Sequence, residues 1–106
     1  MSSFDLHDLE QRIAERAKAS ADVSYTRKLL DRGTAHCAKK LGEEAVEMIL
    51  AAVGEDRDRV IAEAADLLYH FVVLLRVRDI KIAEIEAALQ SRTAQSGLDE
   101  KAARKD

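Results

Sequence analysis

Two stretches of this sequence decide the fold: LGEEAVEMIL at residues 41–50 and IAEAADLLYH at residues 61–70. Both consist mainly of good helix formers, and in both the acidic residues recur three positions apart, so that they share one face of a helix. The second stretch places Glu63 and Asp66 where the pattern becomes apolar. Unpaired carboxylates in such a place cost several kcal/mol each unless they are protonated, paired or bound to a metal. These two predicted helices are therefore the first place to look for a functional site.

Helical signals extend over the rest of the chain, which contains no proline and four glycines. The pattern predicts one all-α domain over residues 1–106, with a polar tail from about residue 94. Caps and glycines predict the helix ends: a first helix capped by Asp5, a second from Ser24 to Gly33, a third ending at Gly54, a fourth ending near Val77 and a fifth over Ile82–Thr93.

The apolar pattern also predicts how these helices pack. Alternating spacings of three and four predict a seam along the third helix, formed by Ala38, Leu41, Ala45, Met48 and Ala52. The run LLYHFVVLL is apolar nearly all round, which is typical of a helix with neighbours on every side. Because a chain of 106 residues has few helices to surround this run, we expect a helical bundle assembled as a homodimer.

Composition excludes several classes of partner. The 17 basic and 20 acidic side chains give a net charge of −3 and are mixed along the chain, so nothing indicates a nucleic-acid-binding surface. The longest apolar run, FVVLL, is far shorter than the roughly 20 residues that cross a bilayer, and no membrane partner is expected. The lone Cys37 and an N-terminus without a signal-peptide pattern indicate a cytoplasmic protein.

The acidic residues predict a metal site. If the two helices pack antiparallel through the short GED connection, four carboxylates converge: those of Glu44, Glu47, Glu63 and Asp66. An all-oxygen set suits Mg²⁺ or Mn²⁺ rather than zinc, and Mg²⁺ points to phosphate-ester or anhydride chemistry. The alternative is that the first acidic run is a solvated helix face balanced by nearby lysines.

Basic residues near this run favour a phosphorylated substrate. Lys28 and Arg32, followed by Lys39 and Lys40, could neutralise phosphate oxygens and a leaving group. For Lys40, a simple ion pair with the glutamates one turn later is equally open. His70, one turn after Asp66, either orders a ligand or is a hydrogen-bonded packing residue.

The acidic motifs resemble a known signature. GEEAVE followed by EAAD is similar to the EExxE…ExxD pattern of the all-α nucleoside-triphosphate pyrophosphohydrolase (MazG-like) superfamily. The segments SYTRKLLDRG, CAKKLGEEAVE, EAADLLYH and RTAQSGLDEKAARK together resemble the phosphoribosyl-ATP pyrophosphatase family. This resemblance extends over nearly the whole chain, from Leu6 to Lys105.

The resemblance implies an activity in histidine biosynthesis, at its second step. The expected reaction is Mg²⁺-dependent hydrolysis of the α–β phosphoanhydride in 1-(5-phosphoribosyl)-ATP, giving 1-(5-phosphoribosyl)-AMP and pyrophosphate. The four carboxylates would hold one or two ions, and a metal-bound water would attack phosphorus. Glu43 and Glu47 are the candidate catalytic residues, with Glu43 orienting the water or accepting its proton. Lys28, Arg32 and Lys40 would bind the substrate and offset the developing charge.

The same resemblance implies a homodimer and a tail that closes over the substrate through Arg92 or Lys101. Two other functions compete with this interpretation. One is a house-cleaning pyrophosphohydrolase that acts on ordinary or damaged nucleoside triphosphates with the same metal site. The other is a non-catalytic helical dimerisation module whose acidic faces keep it in solution.

Overall fold

A computed structural model describes residues 3–94, and these residues form four α-helices with no strand among them. The helices are α1 (Leu6–Arg16), α2 (Tyr25–Gly54), α3 (Arg57–Val77) and α4 (Ile82–Thr93). The prediction of an all-α fold is therefore confirmed. None of the helices in residues 3–94 has the length and apolar character needed to cross a membrane.

The helix ends are set by local capping, and the predicted cap at Asp5 is confirmed. The Asp5 carboxylate accepts a hydrogen bond from the Asp8 amide at 2.9 Å, and the Asp8 carboxylate accepts one from the Asp5 amide at 3.0 Å, which is a capping box. Asp56 caps α3 by accepting from the Arg59 amide at 2.9 Å. The predicted ends at Gly54 and Val77 and the predicted bounds of α4 are all confirmed.

Gly33 divides α2 into two parts. Its φ of +88° and ψ of 179° lie outside the helical region and in a conformation that residues with a Cβ rarely adopt. The second and third predicted helices are the two parts of α2, and the predicted stop at Gly33 is confirmed as a kink. Residues before and after the kink thus belong to one element but follow different axes.

The core lies where all four helices meet. Because only Glu55 and Asp56 separate α2 from α3, and because these helices form the main interhelical contact, they pack as an antiparallel hairpin. The buried core residues are Ile13 of α1, Leu29 and Cys37 of α2, Val72, Val73 and Leu75 of α3, and Ile82 of α4.

The predicted seam along α2 is rotated in the structure. Ala38 and Ala52 are exposed, whereas Cys37 and Ala51 are each only 2% exposed. Half-buried Glu44 lies midway between them at a spacing of seven residues, so the stripe that faces α3 includes a carboxylate. The prediction was wrong at Ala38 and Ala52 because it selected only apolar residues for this face.

Helix α4 is attached to α1 by polar contacts. The Glu10 carboxylate accepts a hydrogen bond from the Ile82 amide at 2.7 Å, at the start of α4. Nearby, His7 Nε2 lies 2.9 Å from Glu86 Oε1, and this carboxylate raises the pKa of His7. These two contacts attach α4 to α1. None of the four residues that form them belongs to the predicted site.

Candidate metal and phosphate site

Three of the four predicted metal-binding carboxylates come together. Glu44 of α2 and Glu63 and Asp66 of α3 each offer an oxygen atom, and these atoms all lie within 4.8 Å of one another. The antiparallel hairpin produces this convergence, since it brings the middle of α2 against the first half of α3. Carboxylates from two helices therefore face a common point.

Glu63 is the most buried member of this group. The residue is 4% exposed, and its Oε1 lies 2.7 Å from Nη2 of Arg59, one turn earlier on α3. Its Oε2 is buried and accepts no hydrogen bond from the residues that the structure describes. Burial raises the pKa of Glu63; Arg59 opposes this effect, while Glu47 and Asp66 add to it. One buried oxygen of a carboxylate thus remains unsatisfied.

Glu44 contributes a second unsatisfied oxygen. Its Oε2 is also buried without a hydrogen-bond partner among residues 3–94. A buried acceptor without a partner is costly, and two of them on neighbouring carboxylates are more so. A bound cation removes this cost, and hard oxygen ligands suit Mg²⁺ or Mn²⁺. The residues present therefore fit such an ion.

The other two acidic site residues lie at the margin of the group. Glu47 is exposed and outside the 4.8 Å set, yet its carboxylate interacts with Glu63 and helps to raise the pKa of Glu63. Glu43 points elsewhere, with its Oε1 3.4 Å from Lys40 Nζ. The roles of Glu47 as a ligand and of Glu43 in proton transfer remain predictions.

The predicted phosphate-binding residues line one cavity of about 230 Å³. We call it the basic cavity, and its walls are formed by Tyr25, Lys28, Leu29, Arg32, His36 and Lys40. Four basic side chains follow one another at intervals of four residues along α2, from Lys28 to Lys40, and the kink at Gly33 falls within this series. The three predicted residues therefore share a cavity with two further polar residues that sequence reasoning did not assign, Tyr25 and His36.

Lys40 connects the basic cavity with the acidic group. It lines the cavity and pairs with Glu43, and its pKa is raised by Glu43, then by Tyr25, with Glu44 adding to the effect. The ion pair expected as the alternative role of Lys40 is present, and it coexists with the position expected for phosphate binding. The carboxylates and the basic cavity are thus adjacent parts of one site.

His70 joins the two parts by hydrogen bonds. Its Nδ1 lies 2.9 Å from the backbone oxygen of Asp66, which can only accept, so Nδ1 carries the proton. In the neutral ring Nε2 is then an acceptor, and the Tyr25 hydroxyl donates to it at 3.3 Å. Since His70 is only 7% exposed, it acts as a buried hydrogen-bonded residue that orients Tyr25 beside the acidic group.

Sequence reasoning missed three residues of this site, namely Tyr25, His36 and Arg59. A spacing of four on the helix was the available signal for His36, which follows Arg32, and for Arg59, which precedes Glu63. No local signal pairs Tyr25 with His70, because 45 residues separate them. Of the two residues expected to close over the substrate, Arg92 lies in the last turn of α4 and Lys101 lies outside the described residues.

Comparison with known proteins identifies the family. A family model described as Phosphoribosyl-ATP pyrophosphohydrolase matches residues 6–93, a range that includes the acidic group and the whole basic cavity. The chain belongs to the phosphoribosyl-ATP pyrophosphohydrolase family. The family predicted from the sequence motifs is confirmed.

Relatives in this family match along their full length. The chain is 61% identical to phosphoribosyl-ATP pyrophosphatase 1 of Bradyrhizobium diazoefficiens, with both chains covered completely. It is 56% identical to phosphoribosyl-ATP pyrophosphatase 1 of Rhodopseudomonas palustris, covering 99% of this chain and 98% of the relative. A phosphoribosyl-ATP pyrophosphatase of Agrobacterium fabrum is 55% identical, with 98% and 97% covered.

Proposed function

We propose that this chain is an enzyme that hydrolyses 1-(5-phosphoribosyl)-ATP to 1-(5-phosphoribosyl)-AMP and pyrophosphate, the second step of L-histidine biosynthesis. The observation that carries this proposal is the proximity of two features, since Lys40 lines one of them and its pKa is raised in part by Glu44 of the other. One is a group of carboxylates with two unsatisfied buried oxygens, and the other is a cavity lined by basic side chains. Relatives that match over the full chain bear the name of this activity. The lone buried Cys37 is compatible with a cytoplasmic location, which we also propose.

The acidic group would hold the metal ion. Glu44, Glu63 and Asp66 are the ligands we assign to Mg²⁺ or Mn²⁺, with Glu47 as a fourth. When bound, the ion supplies Lewis-acid catalysis and lowers the pKa of a coordinated water. In the metal-free protein, Arg59 partly neutralises Glu63 through their 2.7 Å ion pair. This pair supports the proposal, because it stabilises the ionised carboxylate that a cation requires.

The basic cavity would bind the polyphosphate. Lys28, Arg32 and Lys40 present charged donors in one place, which suits several phosphate oxygens at once. They also offset the negative charge that develops on the leaving pyrophosphate. Glu43, which pairs with Lys40, is the residue we assign to accept a proton from the attacking water.

We also propose that the enzyme is a homodimer. Val46, Ile49, Leu50 and Val53 recur at i, i+3, i+4 and i+7 on α2 and are 55%, 58%, 64% and 85% exposed. Val53 follows Glu44 by nine residues, which places this stripe about 180° around the helix from the acidic group. A second copy that covers the stripe would bury it without touching the metal ligands of the same chain.

The experiment is a pyrophosphate-release assay with purified protein. We expect release from phosphoribosyl-ATP in the presence of Mg²⁺, and no release when EDTA is present. ATP and the deoxynucleoside triphosphates serve as comparison substrates. Release mainly from deoxynucleotides would keep the metal site but replace the substrate with that of a house-cleaning enzyme, and release from none of them would leave a non-catalytic dimerisation module.

Variants test the residue assignments. We expect Glu44→Gln and Asp66→Asn to lose turnover, while Glu15→Gln, an exposed carboxylate on α1, retains it. Wild-type turnover and Mg²⁺ dependence in the two site variants would contradict the assigned ligands. Analytical ultracentrifugation tests the dimer, and we expect Ile49→Glu to shift the protein toward the monomer, because it places a charge in the middle of the apolar stripe.

A further inference from the structure

One side chain of the basic cavity has no role in the function proposed above. His36 lines the cavity together with Lys28, Arg32 and Lys40, one helical turn from each of the last two. Its side chain is half-buried, and because it lines the cavity it adjoins the space that the proposed polyphosphate would occupy. An imidazolium ring offers two N–H donors, and either can bind a phosphate oxygen.

The surroundings of His36 disfavour its charged form in the free protein. Withdrawal of the ring from water has the largest effect in lowering its pKa, followed by the charges of Arg32, Lys39 and Lys40, while Glu43 opposes them. Lys28 and Tyr25 complete the titratable groups of the cavity, and all of these residues belong to α2. Another positive charge among so many cations is unfavourable until an anion enters.

We propose that His36 is a fourth anion-binding group of the basic cavity and takes up one proton from solvent when a polyphosphate enters. This inference rests on the proposed function, which places the polyphosphate in this cavity. A bound anion with several negative charges reverses the local potential, so the imidazolium form becomes favourable and forms a charge-assisted hydrogen bond. The cavity thereby adjusts its own charge to that of its ligand.

Proton uptake makes binding depend on pH in a defined direction. Because the anion binds together with a proton at His36, affinity is highest at low pH and falls as pH rises through the pKa of His36 in the complex. Lysine and arginine side chains ordinarily titrate far above neutral pH, so no comparable dependence is expected from the other cations of the cavity. The pH dependence therefore isolates His36 from the other three cations.

The direct test is an NMR titration of the histidine ring protons in metal-free protein, with inorganic pyrophosphate as the probe. The His36 signals are assigned by their loss in His36→Gln. We expect the pKa of His36 to rise by about 1 unit on saturation, which corresponds to about tenfold in affinity. His7, which pairs with Glu86, serves as the internal control and should not change. An unchanged pKa of His36 in the pyrophosphate complex would overturn the proposal.

Kinetics provide the second test, with phosphoribosyl-ATP and Mg²⁺ between about pH 6 and pH 8. We expect the wild-type KM to rise with pH more steeply than that of His36→Gln, with little change in kcat. His36→Lys, which carries a fixed charge, should keep a low KM at the upper end of the range. The substrate phosphates titrate equally in all three proteins, so the difference between them reports on residue 36 alone.

The outcomes separate this inference from the proposed function. Identical pH profiles of KM in the wild type and both variants, with normal turnover, would overturn the role of His36 and leave the enzyme activity intact. Absence of pyrophosphate release by the wild type would overturn the proposed function and the inference with it.

Discussion

The two halves of α3 pack in opposite ways although they belong to one helix. The first half directs Glu63 and Asp66 toward α2, and within residues 3–94 the buried Oε2 of Glu63 accepts no hydrogen bond. The second half buries Val72, Val73 and Leu75 in the core. The comparison indicates that stability comes from the second half, while the first half carries a stability cost in return for a preorganised site.

The largest effect on stability is expected from a substitution in the second half of α3, which carries the buried apolar residues. Leu75→Ala should lower the free energy of unfolding by about 2–5 kcal/mol, because it removes buried methyl groups and leaves a cavity. Urea denaturation at one fixed protein concentration measures this change, since a dimer would make stability depend on concentration. The folded variant should retain pyrophosphate release at low temperature. A loss of turnover in folded Leu75→Ala would show that the two halves do not act separately.

The next largest effect is expected on turnover, from a substitution in the first half of α3, which carries Glu63 and Asp66. Glu63→Gln should reduce turnover on the order of 100-fold or more, since it removes a charge that the proposed site requires. The metal-free variant should melt at a higher temperature than the wild type above about pH 5, because the raised pKa of Glu63 means that its ionised form is unfavourable in the fold. The Mg²⁺-induced rise in melting temperature should disappear.

A matched variant tests that assignment. Glu15→Gln removes an exposed carboxylate from α1 and should change neither turnover nor the response to Mg²⁺. If Glu63→Gln melts below the wild type in the absence of metal, the ion pair with Arg59 outweighs the burial of Glu63, and the first half of α3 carries no stability cost at this residue.

An intermediate effect is expected at the boundary between the halves, where His70 accepts a hydrogen bond from Tyr25. Tyr25→Phe should lower the free energy of unfolding by about 1 kcal/mol, the usual net value for one hydrogen bond. Differential scanning calorimetry under identical conditions compares the two proteins. Equal stability of both would mean that the 3.3 Å contact contributes nothing.

The smallest effect lies outside α3, in the contact between α1 and α4. Glu86 raises the pKa of His7, so the stabilisation from this pair is fully present below the ordinary histidine pKa of about 6.5 and is lost as pH rises through the raised value. His7→Gln should flatten that part of the stability profile between about pH 6 and pH 8. The change should be small because both side chains are about half exposed.

The sequence by itself determined the helix ends and the family. Asp5, Asp56 and Gly33 act on backbone groups within a few residues, so their effects follow from local chemistry. The i, i+3 spacing of Glu63 and Asp66 fixed their shared face for the same reason. The motifs that carry the resemblance are likewise contiguous in the chain.

Only the tertiary structure decided which residues are buried and which meet across helices. It exposed Ala38 and Ala52 and buried Cys37 and Ala51 in their place, and it brought Tyr25 to His70. It also gathered His36 into the basic cavity. Such contacts depend on the rotation of one helix against another, and a hydrophobic pattern predicts that rotation wrongly when a polar residue lies on the packed face.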